Sequence, residues 1–269
     1  MLAIDIGNTQ TVIGYFTQEN SAQPSVQHSV QHLTQQWRIS TQPRCTADEF
    51  KLKLSGILNN SKIQLDEIET IIASSVVPSL VKMLETAFKT KNLYQIDHRS
   101  PFSFEIKVDA PQEVGADRLV NAEAAIRDYG SPCIVVDSGT ATTICAISKN
   151  AEGKAQYLGG AIIPGIELAM QALSEKAAKL FTIELTPPKN PIGSNTREAL
   201  KSGLLLGYAS MIDGMVLRFK KELGVTELPV IATGGISYLL RNLTCELTHF
   251  DPDLTLKGIA YIHNTLRKQ

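Results

Sequence analysis

Short apolar runs that end in glycine or small polar residues alternate along this chain with longer segments in which apolar residues recur at helical spacing. This alternation is typical of an α/β protein and does not fit a β-sandwich or a helical bundle. We predict strands at 2–6, 11–16, 70–74, 133–137, 142–147 and 229–233. We predict helices over about 47–59, 78–89, 116–128, 166–180 and 196–223.

Residues 18–36 interrupt this pattern. The segment is rich in Gln, Ser and His and carries almost no apolar periodicity. We interpret it as a polar surface insertion between two strands. His28 and His32 have helical spacing, so metal binding there is an alternative, which the composition of the segment does not favour.

An internal repeat organises the chain. Residues 2–13 align with residues 134–145 at a single offset of 132 positions, about half the length. Each copy has an apolar strand, an Asp-x-Gly sequence with small polar residues, and a second apolar strand, which predicts a hairpin with a polar turn. Such an offset indicates a duplicated domain. We therefore expect two similar lobes, 1–115 and 116–269, each presenting one turn to a shared cleft.

The two turns have the chemistry of phosphate sites. Glycine lets the backbone approach a ligand closely, and backbone N–H groups in a concave turn bind anions. Short side-chain donors accompany them: Asn8, Thr9 and Thr11 in the first turn, and Thr140, Thr142 and Thr143 in the second. Neither turn contains lysine, so a metal ion must meet much of the phosphate charge. Asp5 is the predicted ligand of Mg²⁺, directly or through water.

A single Asp-x-Gly is usually only a capped turn, but two copies at domain spacing favour the phosphate interpretation. The sequence has neither a P-loop nor a dinucleotide-binding glycine motif. The apolar strand 229–233 runs into Gly234 and Gly235, where the lack of side chains would let a base or ribose lie against the backbone. A plain turn is the alternative there.

The bulk composition excludes several classes of function. The chain has 269 residues, a net charge of -1 and a sequence pI of about 6.5, so nothing draws in nucleic acid. The four cysteines show no zinc or paired spacing and fit reduced thiols in the cytoplasm. The N-terminal residues do not resemble a signal peptide, and no stretch approaches a bilayer-spanning length. We expect neither secretion nor membrane insertion.

The tetrad Gly115-Ala116-Asp117-Arg118 opens a predicted helix. Arg118 is a fixed cation suited to a carboxylate or phosphate. The helix dipole favours the charged form of Asp117, which makes it a weak base. A weak base suffices for phosphoryl transfer, because the attacking hydroxyl mainly needs positioning. The alternative is a helix-capping Asp117 beside an exposed Arg118.

The paired turns resemble those of the actin-like (ribonuclease H-like) ATPase superfamily, and the whole ordered set of motifs resembles the type III pantothenate kinases. These motifs are Asp5–Thr9, Ala73–Pro78, Gly115–Arg118, Asp137–Thr143, Gly159–Gly165, Asn195-Thr196 and Thr233–Gly235. The resemblance implies an α/β, duplicated actin-like fold whose two lobes have mixed sheets flanked by helices. It implies a cytoplasmic homodimer that phosphorylates pantothenate to 4′-phosphopantothenate in coenzyme A biosynthesis.

The resemblance also implies site residues. Asp117 would orient the acceptor hydroxyl and take its proton late, and Asp137 would bind K⁺ or NH₄⁺ while Asp5 binds Mg²⁺ or Mn²⁺ through water. The expected ATP-binding residues are Asp5, Ile6, Gly7, Asn8, Thr9, Gln10, Thr11, Val12, Thr140, Gly234 and Gly235. The expected pantothenate-binding residues are Val108, Gly115, Ala116, Asp117, Arg118 and Thr196. Residues 161–165 and 204–217 could form contact surface between subunits, or serve core packing equally well.

The chain departs from the family pattern at two positions. Val108 and Ala110 stand where an aromatic residue and Asn are usual, so we expect a looser pantothenate site, with Tyr94 or a partner aromatic as a substitute wall. Two other functions stay open: a non-enzymatic regulatory protein on the same scaffold, and a kinase or phosphatase acting on a sugar, acetate or polyphosphate. The second does not explain the tetrad.

Overall fold

The computed structural model describes residues 1–18, 31–177 and 179–268. The strands are β1 (Leu2–Ile6), β2 (Gln10–Gln18), β3 (Gln31–Ser40), β4 (Thr70–Ser75), β5 (Asn92–Gln95), β6 (Glu105–Ile106), β7 (Cys133–Ser138), β8 (Ala141–Lys149), β9 (Ala155–Pro164), β10 (Val230–Thr233) and β11 (His249–Phe250). The helices are α1 (Ala47–Asn60), α2 (Pro78–Ala87), α3 (Ala116–Tyr129), α4 (Ile166–Lys176), α5 (Thr196–Lys201), α6 (Gly207–Leu223) and α7 (Leu254–Leu266). A π-helical turn, Ser202–Leu206, continues α5 into α6, and a short 3₁₀ helix covers Ser237–Leu240.

The chain forms two compact units that interleave along the sequence. The first unit contains Met1–Phe102, Ala110–Ala124 and Thr255–Gln269, and the second contains Ser103–Asp109 and Ala125–Leu254. The first part of α3 and all but the first residue of α7 thus group with the N-terminal strands. The predicted division into lobes 1–115 and 116–269 stays a prediction. The compact units divide the chain at other positions, because α3 and α7 pack on the first sheet.

The two sheets have the same topology. In the first unit the strand order is β3-β2-β1-β4-β5, and in the second β9-β8-β7-β10-β11 follows the same order, with β6 added beside β9. In each unit the first strand pairs antiparallel with the second and parallel with the fourth. The predicted duplication and the actin-like α/β fold with mixed sheets are confirmed.

The first sheet is covered by helices on both faces, because successive side chains of a strand point to opposite sides. Leu2 and Ile4 pack in one cluster with Leu54 of α1 and Leu84 of α2. Ala3 packs in another cluster on the opposite face, and the members of that cluster are fully or nearly buried. The cluster contains Phe16, Ile72, Ala116, Val120, Leu256, Ile259 and Ile262. Helices α3 and α7 therefore cover the second face.

The second unit has its own core beneath the long helical segment. Ile134 and Val136 of β7 pack with Leu205, Ala209 and Ile212, all of them fully buried. The combined segment Thr196–Leu223 is 28 residues long, and by length and composition it is long and apolar enough to cross a membrane. This corrects the expectation that no stretch has that length. Its apolar face is accounted for by this core.

The predicted strands and helices are all present, with ends within a few residues of those expected. The interpretation of 18–36 as an insertion was wrong for residues 31–36, which lie in β3. That strand pairs with β2 at the sheet edge, and its side chains are mostly exposed, so its polar composition conceals it. Residues 19–30, including His28, lie outside the described residues.

Candidate active site

The first turn joins β1 to β2 through a close backbone contact. The Gly7 N–H donates to the Gln10 carbonyl at 3.0 Å, and a Cβ on Gly7 would lie 3.1 Å from that oxygen. The side chains of Asn8, Thr9 and Gln10 are exposed. The turn therefore presents short polar groups to solvent from a tight backbone, as a phosphate site requires.

Thr41, the residue after β3, braces this turn. Its backbone N–H donates to the Thr9 carbonyl at 2.9 Å, and its hydroxyl donates to the Gly7 carbonyl at 2.8 Å. The same hydroxyl lies 2.9 Å from the hydroxyl of Thr11, which is only 2% exposed. Sequence reasoning missed Thr41 because it lies 30 residues beyond Thr11, after a segment interpreted as an insertion.

The end of β4 connects the first turn to the tetrad within the first unit. Asp5 stands opposite Ser74 in the parallel pairing of β1 and β4, and the Val76 N–H donates to the Ile6 carbonyl at 3.1 Å. A side chain of Val76 in turn lies 3.5 Å from where a Cβ of Gly115 would stand. Asp5 and the tetrad therefore both lie beside the C-terminal end of β4.

The tetrad is packed around the Asp117 carboxylate. A Cβ on Gly115 would lie 2.5 Å from Asp117 Oδ1, a separation that real Cβ atoms essentially never show. The Arg118 N–H donates to Asp117 Oδ1 at 2.8 Å and to the Gly115 carbonyl at 3.1 Å. Any side chain at 115 would therefore displace the carboxylate.

Burial raises the pKa of Asp117 above its usual value, while the Arg118 backbone bond and the Arg118 charge act in the opposite direction. The expectation that the helix terminus keeps this carboxylate a weak base was therefore wrong in direction. Loss of hydration outweighs the dipole, since removing a carboxylate from water disfavours its charged form. Asp117 is a better proton acceptor than an exposed aspartate.

The second turn, between β7 and β8, is closed by a similar backbone contact and is one residue shorter than the first. The Gly139 N–H donates to the Ala141 carbonyl at 3.1 Å, and the Gly165 N–H donates to the Thr140 carbonyl at 3.0 Å. Thr142 is fully buried, and its hydroxyl shares a hydrogen bond of 2.6 Å with the hydroxyl of Tyr208. Thr140 is exposed at the tip of the turn. Tyr208 is a second brace that sequence reasoning missed.

Gly234 packs directly on the second turn. It follows β10, whose Thr233 pairs with Asp137 of β7, and its φ is +90°. A Cβ at this position would lie 2.5 Å from both Asp137 Oδ1 and the Ser138 carbonyl oxygen. The glycine pair predicted to contact adenosine therefore adjoins the predicted cation ligand, within the second unit. A short 3₁₀ helix begins at Ser237, just after the glycine pair.

The remaining predicted substrate residues lie in the second unit. Thr196 is the first residue of α5 and is exposed. The side chain of Asn195 caps this helix by accepting the Glu198 N–H at 3.0 Å. Val108 contacts Gly159, with a side-chain carbon 3.4 Å from a Cβ built there. Tyr94, considered as a substitute wall, donates its hydroxyl to Ser100 at 3.1 Å and packs against the first-unit core.

The side chains of the described residues do not form a metal site by themselves. Across residues 1–18, 31–177 and 179–268, no group of three or more His, Cys, Asp or Glu side chains is placed to hold a metal ion. A divalent ion at Asp5 would therefore need oxygens from a bound phosphate, which is the usual arrangement for Mg²⁺ with nucleotides. The single carboxylate of Asp5 fits an ion that is shared with a bound phosphate, and it does not fit a site made of protein ligands alone.

Comparison with known proteins agrees with these motifs. A family model for type III pantothenate kinase matches residues 1–218. A type III pantothenate kinase of Rubrobacter xylanophilus is 40% identical over 271 residues, covering 98% of this chain and 97% of that protein. Another, of Exiguobacterium sibiricum, is 39% identical over 266 residues and 98% of each chain.

A solved structure from Campylobacter jejuni, of a protein assigned to the Baf family of transcriptional activators, covers 100% of both chains with a TM-score of 0.62 and 20% identity. At that identity the likeness shows the fold alone. The family model and the relatives near 40% identity extend over most or nearly all of the sequence. This chain belongs to the type III pantothenate kinase family.

Proposed function

We propose that this chain transfers the γ-phosphoryl group of ATP to the primary hydroxyl of pantothenate, giving ADP and 4′-phosphopantothenate, the first step of coenzyme A biosynthesis. The observation that carries the proposal is the tetrad. Gly115 leaves no space beside the Asp117 carboxylate, and burial raises the pKa of that carboxylate. A general base held in this way suits an alcohol acceptor.

The two turns supply the phosphate contacts. The exposed tips around Asn8 and Thr140 present backbone N–H groups and short donors. Asp5 would hold Mg²⁺ or Mn²⁺ through water, and Asp137 would hold K⁺ or NH₄⁺ beside Gly234. The cations neutralise charge on the phosphate oxygens when they are bound. Of the remaining predicted ATP residues, Gly7 and Thr9 lie in the first turn and Gly235 in the glycine pair. The others lie on the flanking strands, Ile6 on β1 and Gln10, Thr11 and Val12 on β2.

The residues predicted to bind pantothenate would have different roles. Asp117 orients the attacking hydroxyl and accepts its proton late, as a loose phosphoryl-transfer transition state allows. Arg118 binds the pantothenate carboxylate through charge-assisted hydrogen bonds. Thr196 and Val108 contact the rest of the acceptor. Because Val108 offers less surface than an aromatic ring, we expect a KM for pantothenate higher than an aromatic residue there would give.

We propose further that the enzyme is a cytoplasmic homodimer. The second unit carries several exposed apolar side chains on β9, on α4 and in the segment that follows α4. They are Leu158, Ile162, Leu168, Leu173, Phe181 and Ile192, of which Ile162 is 67% and Ile192 89% exposed. Exposed apolar side chains that lie together mark protein interfaces, and we propose that these do. Ile162→Glu should shift the mass measured by light scattering from dimer to monomer, and an unchanged mass would remove this surface from the interface.

The activity is tested by supplying ATP, Mg²⁺, K⁺ and pantothenate to the purified protein and measuring ADP and phosphorylated acceptor together. Product should form only with pantothenate present, and replacing K⁺ by Na⁺ should largely abolish turnover. Asp117→Asn should lower kcat by about 10²- to 10⁴-fold, the usual contribution of a general base. Nucleotide binding without any acceptor turnover would instead favour a regulatory protein.

A further inference from the structure

The same structural device supports both phosphate turns. In each unit the residue that follows the third strand donates its backbone N–H to a carbonyl of the turn. Thr41, after β3, donates to Thr9 at 2.9 Å, and Gly165, after β9, donates to Thr140 at 3.0 Å. Because the two strands occupy equivalent places in the duplicated sheets, this bond belongs to the repeat. In the first unit a side-chain hydroxyl is added to it.

The hydroxyl contacts of Thr41 fix the direction of each hydrogen bond. A hydroxyl has one proton, and a carbonyl only accepts, so Thr41 donates its proton to Gly7 at 2.8 Å. The 2.9 Å bond between the two threonine hydroxyls must then be donated by Thr11. Thr11 is 2% exposed, and its proton is used within the protein. Its hydroxyl therefore braces the turn and is not a phosphate donor.

These bonds also fix where the turn's N–H groups point. In a trans peptide the C=O of one residue and the N–H of the next lie in the same plane and point in opposite directions. Thr41 holds the Gly7 and Thr9 carbonyls, so the N–H groups of Asn8 and Gln10 are directed away from Thr41. Two hydrogen bonds donated by one residue thus set the direction of two N–H donors at the exposed tip.

We propose that Thr41 is a positioning residue for ATP: through the Gly7 and Thr9 carbonyls it holds the backbone N–H groups of the first turn in the orientation that binds phosphate. This inference rests on the proposed function, because ATP is the ligand that the proposed function assigns to the first turn. It adds a residue outside the motifs that identify the family here. It also reassigns Thr11 from ligand to brace.

The test compares Thr41→Val, which keeps the shape and removes the hydroxyl, with Thr41→Ser, which keeps the hydroxyl. Thr34→Val is the matched control, because Thr34 and Thr17 form another hydroxyl pair, 2.8 Å apart and exposed, between the same strands. Calorimetry would give the Kd of ATP, and steady-state kinetics the KM of each substrate. Melting temperatures would show whether each variant is folded.

Thr41→Val should raise the Kd and KM for ATP about three- to tenfold, the range expected for one hydrogen bond, and leave the KM for pantothenate within twofold. Thr41→Ser should restore ATP affinity to within twofold of wild type, and Thr34→Val should change neither. An unchanged Kd in Thr41→Val, or equal increases in both KM values, would overturn the proposal.

Two further outcomes keep the inference testable. If Thr41→Val does not fold, a tenfold weaker Kd in Thr41→Ser would overturn the proposal, because the hydroxyl is still present there. If wild type binds ATP but does not phosphorylate pantothenate, the proposed acceptor is wrong. The binding comparison between Thr41→Val and Thr34→Val then still decides the role of Thr41.

Discussion

Replacing Gly115 by alanine should disable the chemical step without removing any catalytic group. The new Cβ would stand 2.5 Å from Asp117 Oδ1, whereas ordinary contact begins at 3.4 Å. The carboxylate must therefore move by about 0.9 Å or rotate away. A misplacement near 1 Å costs on the order of 10²-fold in rate. We expect kcat to fall about 100-fold.

Steady-state kinetics with ATP and pantothenate, together with calorimetric ATP binding, separates this effect from a general defect. The Kd for ATP should stay within twofold of wild type, because the atoms near the new Cβ are those of Asp117 and Val76 and not of the first turn. Gly56→Ala in α1 is the control, since a Cβ there meets open space among the described atoms. A Gly115→Ala enzyme with wild-type kcat would refute the placement of Asp117 as the group that orients the acceptor.

Three other predictions follow from the same contacts. Because burial raises the pKa of Asp117, ionisation of this carboxyl group opposes folding above its unfolded pKa of about 3.9. Asp117→Asn should therefore raise the melting temperature at pH 7, and this gain should vanish in scans below about pH 4. A lower melting temperature at pH 7 would contradict this. Gly234→Ala forces a side chain onto a φ of +90° and against Asp137 Oδ1, so urea unfolding should show a loss of about 1–3 kcal/mol, whereas Gly235→Ala should stay within about 0.5 kcal/mol. Tyr208→Phe removes the hydrogen bonds to Thr142 and to the Pro164 carbonyl, at 2.6 and 2.9 Å. Urea unfolding should show a loss of about 1–3 kcal/mol in the free energy of unfolding, and an unchanged value would show that Tyr208 does not support the turn.

The duplicated fold was predictable because its signals are local and repeated. Asp5-Ile6-Gly7 and Asp137-Ser138-Gly139 each follow a buried strand, and one offset aligns both the strands and the turns. Strand alternation and glycine placement act over a few residues, so they survive in a single sequence. β3 was missed in part because an exposed edge strand is held by backbone hydrogen bonds, which leave no apolar pattern.

The supports of the site were not predictable from the sequence. Thr41 reaches Gly7 from 34 residues away, and Tyr208 reaches Thr142 from 66 residues away. Such contacts depend on how strands are ordered in the sheet, which spacing alone does not reveal. The pKa direction of Asp117 was wrong because its dominant cause is burial, which depends on the fold, whereas the sequence shows only the helix terminus.

Direct detection of the phosphorylated acceptor tests the central claim. Mass spectrometry of a reaction containing the protein, ATP, Mg²⁺, K⁺ and pantothenate should show pantothenate gaining one phosphoryl group, in a one-to-one ratio with ADP. The product should fall at least 100-fold in Asp117→Asn. ADP formation that does not depend on pantothenate, or no modified pantothenate at all, would contradict the assignment.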